Sequence, residues 1–275
     1  MSTPFIKMHG TRNDFIMLDG FESRLPADLD NLARRICDRR RSVGADGLIA
    51  MTPPAVTSTD VDVTIRNADG SKATMCGNGA RCVAVWMQHQ ERIDQCCRMR
   101  FASGLITATE ISTDSRGGRA TIEMGTATCQ SLPSAVGSTK PAWHVNVGNS
   151  HVVMFTNDLS DSALHSARAA VDERFADEGG VNVELVTVLS TADRRLRARV
   201  YERGSGETQS CGSGACAVLS AMIQQGLASQ GERWMIEFPG GILEVEQNEL
   251  DQLLLSGPAE VSFQGVLPFA DVPPA

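Results

Sequence analysis

Two cysteines carry the most informative pattern in this chain. The first stands in Asp69-Gly70-Ser71-Lys72-Ala73-Thr74-Met75-Cys76-Gly77-Asn78-Gly79-Ala80 and the second in Gly204-Ser205-Gly206-Glu207-Thr208-Gln209-Ser210-Cys211-Gly212-Ser213-Gly214-Ala215. Both phrases contain C-G-x-G-A and both run into a helical segment, about half the chain apart. A cysteine at a helix N-terminus meets the positive end of the helix dipole and free N–H groups, which favour the thiolate. The glycines that follow let a ligand approach the backbone and expose those N–H groups to a carboxylate. Removing an α-proton from an amino acid needs a base, stabilisation of the carbanion and an acid on the opposite face. Two thiols presented by duplicate turns supply that symmetry.

The elements that must position these residues are legible in part. Strand-like runs recur at 5–8, 15–19, 47–51, 61–66, 120–124, 151–155, 183–189, 196–202, 234–238 and 241–245, several with alternating apolar and polar residues. A helix is expected over 28–39, with Asp28 as N-cap and Leu29, Leu32, Ala33, Ile36 and Cys37 on one face. Segments 80–88 and 215–225 are apolar nearly all round, so each is read as a central helix wrapped by sheet, with Gly226 ending the second. The duplication implies two similar halves. A loose stretch around 112–118 is the expected boundary, giving a Cys76 half over 1–118 and a Cys211 half over 119–257, with 258–275 returning to the first. The expected fold class is α/β (α+β): two pseudo-symmetric domains, each a mostly antiparallel sheet around a central apolar helix, with the active site in the cleft between them.

Composition narrows the function. The 275 residues are 42% hydrophobic and 21% charged, the balance of a globular protein, with net charge −8 and pI about 5.2. That acidity gives no case for nucleic acid or an anionic membrane as partner. No apolar run approaches bilayer-spanning length, and the N-terminus lacks the pattern of a secretory signal, so a cytoplasmic enzyme is expected. The eight cysteines are therefore expected as reduced thiols. Cys37, Cys82, Cys96, Cys97, Cys129 and Cys216 are read as small core hydrophobes. Cysteine and histidine spacing offers no metal site. A pyridoxal enzyme needs a Schiff-base lysine. Of Lys7, Lys72 and Lys140 only Lys72, close to Cys76, could be considered, and no cofactor is expected.

Read end to end, the chain resembles the diaminopimelate epimerases. The phrases that carry the resemblance are His9-Gly10-Thr11-Arg12-Asn13-Asp14-Phe15, Gly44-Ala45-Asp46-Gly47, Asn67-Ala68-Asp69-Gly70-Ser71, Cys76-Gly77-Asn78-Gly79-Ala80-Arg81-Cys82, Gly148-Asn149-Ser150-His151, Asn182-Val183-Glu184, Glu202-Arg203-Gly204-Ser205-Gly206-Glu207-Thr208, Cys211-Gly212-Ser213-Gly214-Ala215-Cys216 and Ser256-Gly257-Pro258-Ala259. They fall in family order over nearly the whole length.

The resemblance implies a pyridoxal-independent isomerase that interconverts LL- and meso-diaminopimelate for lysine and peptidoglycan synthesis. Cys76 and Cys211 would be the acid/base pair, assisted by His151 and Glu202. Gly77, Asn78, Gly212 and Ser213 would hold the carboxylate at the reacting carbon, and Asn13, Asn67, Asn149, Asn182 and Arg203 the distant amino-acid end. Arginine offers a fork to a carboxylate, and asparagine both donates and accepts, as a zwitterion requires. The family often forms homodimers. The chain departs from the pattern at Ser150, where proline is common, at Thr11-Arg12, where Leu-Gly is frequent, and over 175–182, where a Phe-Pro-x-x-Thr-Asn phrase is lost. These departures adjoin the substrate-gripping asparagines, so the alternative is the same machinery on a different amino acid. A fold relative that merely binds would be free to lose one cysteine, and a thiol hydrolase would need only one.

Overall fold

The computed structural model describes residues 3–132, 141–176 and 180–267, in which helices and strands mix throughout. The chain divides into two compact units, Met1–Ile122 with Gly257–Ala275, and Glu123–Ser256. Residues 112–118 form the tip of a hairpin inside the first unit, and the chain changes unit after Ile122. Of the C-terminal stretch 258–275, residues 268–275 lie outside the described residues, as does Lys140.

In the first unit β1 (Thr3–Gly10) and β2 (Asn13–Asp19) form a hairpin. Helix α1 (Leu29–Ile36) then carries the chain to β3 (Gly47–Thr52), which runs parallel to β2. β4 (Val61–Asn67) is antiparallel to β3, the short β5 (Lys72–Ala73) is antiparallel to β4, and Cys76 opens α2 (Gly77–His89). β6 (Cys97–Phe101) returns parallel to β4, followed by antiparallel β7 (Gly104–Asp114) and β8 (Gly117–Glu123). Asp28 caps α1 by accepting from the Asn31 N–H at 3.0 Å, as its sequence suggests. The helix stops at Ile36, short of the expected residue 39, because Cys37 takes the C-cap and Gly44, at φ 75°, folds the chain back to donate to the Ile36 carbonyl.

The second unit repeats this order. β9 (Thr128–Leu132) precedes β10 (Ala142–Asn146), which forms a hairpin with β11 (Ser150–Phe155). Helix α3 (Asp161–Arg174) leads to β12 (Asn182–Ser190), parallel to β11. β13 (Arg195–Glu202) and β14 (Gly206–Thr208) are antiparallel, and Cys211 opens α4 (Gly212–Gln224). β15 (Trp234–Phe238) then runs parallel to β13, with antiparallel β16 (Gly241–Gln247) beside it. The long β17 (Leu253–Leu267) pairs with β16 through Leu253–Ser256 and, farther on, with β1. The duplication seen around the two cysteines is therefore a duplication of the whole ββαβββ–helix–ββ order.

Both central helices are enclosed. Ala80, Cys82, Val83, Ala84 and Val85 of α2 are buried, as are Ala215, Cys216, Ala217, Val218, Leu219, Ala221 and Met222 of α4. Helix α2 packs on β1, β6 and β7, and α4 on β9–β12 and β16. Gly226, at φ 73°, ends α4 in the left-handed conformation. Among the described residues no helix is long and apolar enough to cross a membrane.

Candidate functional site

The β-pleat explains why particular residues of the second unit meet. His151 is the second residue of β11 and stands opposite Asn182 on β12. Asn182 and Glu184 share a face because side chains alternate along a strand. Glu184 in turn stands opposite Val200 on β13, two residues before Glu202. One sheet face thus presents His151, Asn182, Glu184 and Glu202 toward α4, which packs on β11 and β12 and begins at Cys211.

The contacts follow. His151 Nδ1 lies 2.6 Å from Glu184 Oε1, both side chains fully buried. His151 Nε2 lies 3.0 Å from Asn149 Oδ1 and 3.1 Å from Ser213 Oγ. Ser213 Oγ is 3.4 Å from Cys211 Sγ, which also accepts the Gly214 N–H at 3.3 Å. Glu202 accepts a hydrogen bond from Thr208 and interacts with the Cys211 thiol. Asn182 accepts the Arg203 N–H at 2.8 Å, and the Arg203 guanidinium reaches Gly180 O at 3.3 Å while remaining exposed.

The electrostatics correct one expectation. A helix N-terminus favours a thiolate, yet burial pushes the Cys211 thiol well up, and the Glu202 and Glu184 carboxylates push it further. The Ser213 hydroxyl and Gly214 N–H oppose this without reversing it. Glu202 is itself raised, first by burial and then by Glu184, against the lowering effect of Thr208, His151 and Cys211. Cys211 therefore rests as a thiol beside a carboxyl group that is easier than usual to protonate.

In the first unit Cys76 is half-buried and donates to Asn13 Oδ1 at 3.6 Å. Asn78 Nδ2 donates to the same oxygen at 3.2 Å. Asn13 donates in turn to Asp46 at 2.8 Å, within an ion network of Lys7, Asp14, Arg39 and Asp46. The turn that delivers Asn13 has Thr11 and Arg12 at φ 48° and 65°, where glycine is usual. Arg81, fully buried, donates to Thr11 Oγ1, Asn78 Oδ1 and Pro258 O, and a Cβ on Gly10 would sit 2.9 Å from its Nη2.

The predicted residues thus gather in two groups. Asn13, Cys76, Gly77 and Asn78 meet in the first unit. Asn149, His151, Glu202, Cys211, Gly212 and Ser213 meet in the second, where Asn182 and Arg203 pair with each other. Asn67 stands apart, exposed, its amide donating to Ser71 Oγ at 2.9 Å in the turn that ends at Gly70. Glu184, Arg81 and Asp46 are the contributors that sequence reasoning did not single out. For Glu184 and Arg81 the available signal was a charge inside an otherwise apolar strand or helix.

All eight cysteines are free thiols. Cys37, Cys82, Cys97 and Cys216 are buried as expected and Cys129 is half-buried, but Cys96 is exposed, because β6 begins at Cys97 and only alternate residues of it face the core. Lys7 is paired with Asp14, and Lys72 is exposed on β5. Among the described residues one trio, His151, Glu184 and Cys211, brings metal-ligand atoms within 4.8 Å of one another. The 2.6 Å contact between imidazole and carboxylate leaves no room for an ion between those two atoms, so the trio is a hydrogen-bonded pair beside a thiol, not a ligand set.

The duplicated fold, with a cysteine capping the central helix of each unit, is one that solved structures of other proteins share. A predicted epimerase from Pseudomonas aeruginosa has this fold (TM-score 0.74, 17% identity, 97% of this chain and 99% of that one). A hydroxyproline epimerase from Agrobacterium vitis with bound trans-4-hydroxy-L-proline shares it too (TM-score 0.71, 13% identity, 98% and 93%). The diaminopimelate epimerase family model matches residues 5–130 and 143–261. Diaminopimelate epimerases of Desulforudis audaxviator and Geobacillus kaustophilus are 36% and 34% identical, over 95% and 96% of this chain and 98% and 96% of theirs. The chain belongs to the diaminopimelate epimerase family and is an isomerase of the racemase and epimerase kind.

Proposed function

We propose that the chain interconverts LL- and meso-2,6-diaminopimelate in the cytoplasm for lysine and peptidoglycan synthesis, Cys76 and Cys211 exchanging the α-proton from opposite faces without a cofactor. One observation carries the reading: both cysteines are N-caps with nearly the same backbone, φ −148° and ψ 119° at Cys76, φ −129° and ψ 119° at Cys211, each leading a G-x-G start into an enclosed helix. In each copy the first helical N–H groups lack intrahelical partners and suit a substrate carboxylate whose charge grows as the carbanion forms.

The resting Cys211 thiol supports the following proton path. Glu202 takes the Cys211 proton, helped by its raised affinity for protons, and the thiolate so formed removes the substrate α-proton. Cys76, held as a donor toward Asn13, returns a proton to the other face. In the reverse direction the roles exchange. Asn13, Asn67, Asn149, Asn182 and Arg203 hold the far amino-acid end.

Incubation with LL-diaminopimelate in deuterium oxide tests this: deuterium enters the α-carbon and the meso form appears. A folded protein that exchanges nothing refutes the reading, and exchange with a different amino acid instead moves the substrate assignment. Cys76→Ala and Cys211→Ala each lower turnover by about 10²–10⁴ or more while leaving the fold intact. Near-normal epimerisation by either variant rules out the two-thiol mechanism.

A further inference from the structure

We propose that Glu184 is a positioning residue that holds His151 as an Nε2–H donor beside the Cys211 turn. The proposal deepens the function given above and rests on His151 working in that site. Its first support is hydrogen-bond accounting. Asn149 Oδ1, 3.0 Å from Nε2, can only accept, so Nε2 carries a hydrogen. Nδ1, 2.6 Å from Glu184 Oε1, then either donates to a carboxylate or accepts from a carboxylic acid. The pair is neutral overall in both cases, and in both the outward nitrogen is a donor. Without Glu184 the Nδ1 side loses its partner, and the Asn149 carbonyl oxygen alone is left to keep the neutral ring's single hydrogen on Nε2.

The second support is the internal duplication. His151 pairs with Asn182 at the start of β11 and β12, and Glu184 follows two residues later. In the first unit Phe15 pairs with Gly47 at the start of β2 and β3, and Ile49 follows two residues later. A Cβ on Gly214 would meet Glu184 Oε1 at 2.6 Å, and a Cβ on Gly79, its duplicate, would meet Ile49 Cδ1 at 2.9 Å. Phe15 and Ile49 therefore fill the places of His151 and Glu184. The fold is content with an apolar pair there, and a buried ionisable pair is a poor source of stability. Glu184 also keeps its second oxygen buried without a hydrogen-bond partner among the described residues, a cost that packing does not explain. The titratable groups facing the pair are Glu202 from β13 and Cys211 from the start of α4.

The test reads the imidazole directly. In the full-length chain labelled with 15N-histidine, the His151 signal, identified by its loss in His151→Gln, shows a protonated Nε2. A bare Nε2 in the wild type overturns the proposal whatever the activity. In Glu184→Gln, kcat falls about 10–100-fold with KM unchanged, as for other outer partners of a working histidine, and Glu184→Asp recovers part of the loss. A folded Glu184→Gln with wild-type kcat also overturns it. If Glu184→Gln does not fold, the wild-type spectrum decides alone. Since the tautomer is read without turnover, a protonated Nε2 in a chain that fails to epimerise diaminopimelate sinks the substrate reading and leaves this one standing.

Discussion

Replacing Gly214 by alanine sets two effects against each other. Gly214 is the third residue of α4 and is not in the left-handed region, so alanine is allowed there. Helix propensity alone predicts a gain of about 1 kcal/mol. The new methyl carbon, however, would lie 2.6 Å from Glu184 Oε1, 3.3 Å from its Cδ and 3.1 Å from Cys211 Cβ. The carboxylate cannot swing into solvent, because Glu184 is fully buried and tied to His151 at 2.6 Å. Displacing it forfeits a charge-assisted hydrogen bond worth about 1.5–3 kcal/mol and strands a buried partner at about 1–3 kcal/mol. The clash wins, and Gly214→Ala loses about 1.5–5 kcal/mol net of the helix gain, each kcal/mol lowering Tm by about 2–4 °C. Gly79→Ala is the internal control. Its methyl carbon is crowded by the flexible end of Ile49 at 2.9 Å and makes ordinary contacts with Cys76 Cβ at 3.6 Å and Phe15 Cζ at 3.7 Å, so the change in stability stays within about 1 kcal/mol. Thermal unfolding of both variants, with turnover measured alongside, decides. A Gly214→Ala protein that is more stable than wild type and fully active would refute the account of a rigid carboxylate under the Cys211 turn.

Two further outcomes follow from the charges. Glu202 has a folded pKa above its ordinary 4.5, so its contribution to stability is fully present below that value and is lost as pH rises through the folded pKa. Glu202→Gln therefore unfolds at a higher temperature than wild type above neutral pH, and the difference vanishes as pH falls toward 4.5, while turnover drops; melting curves across pH check the sign. Asp14 behaves oppositely: burial would raise its pKa, but hydrogen bonds from Arg39 and Lys7 hold it well below the usual carboxylate range. Its stabilisation is present above 3.8 and is lost as pH falls through the folded value. Asp14→Asn removes the carboxylate that faces the buried Lys7, leaving Lys7 the Gly44 carbonyl, and costs about 3–5 kcal/mol, read by denaturant unfolding near neutral pH.

Part of this protein was written locally. Asp28 before Leu29 marks a helix start because the cap needs only its neighbours. The two C-G-x-G-A phrases identify helix mouths for the same reason, and their repetition exposes the duplicated fold. Helix α3 escaped the sequence reading although Ser160 accepts from the Ala163 N–H at 3.2 Å and Leu164, Ala167 and Val171 form a buried stripe. Its many Arg, Asp and Glu residues obscure so narrow an apolar face. Strand β6 escaped because Arg98 and Arg100, its outward residues, read as a polar segment until Asp60 and Asp62 are placed beside them.

Sequence alone named the residue types on which the proposed chemistry rests: two thiols, a histidine, a carboxylate and the amides around them, each tied to a short phrase with a local physical meaning. Tertiary structure decided their states. Lys7, Arg81 and Glu184 are buried ionisable side chains with partners from distant segments, so no local pattern predicts that they are tolerated. The Cys211 turn shows the division most clearly. Its helix start argues for a thiolate, but burial and the carboxylates of Glu202 and Glu184, brought in by β13 and β12, make it a thiol. A dipole at a helix end can be read from a few neighbouring residues, whereas desolvation and through-space charge depend on everything the fold packs around the sulfur.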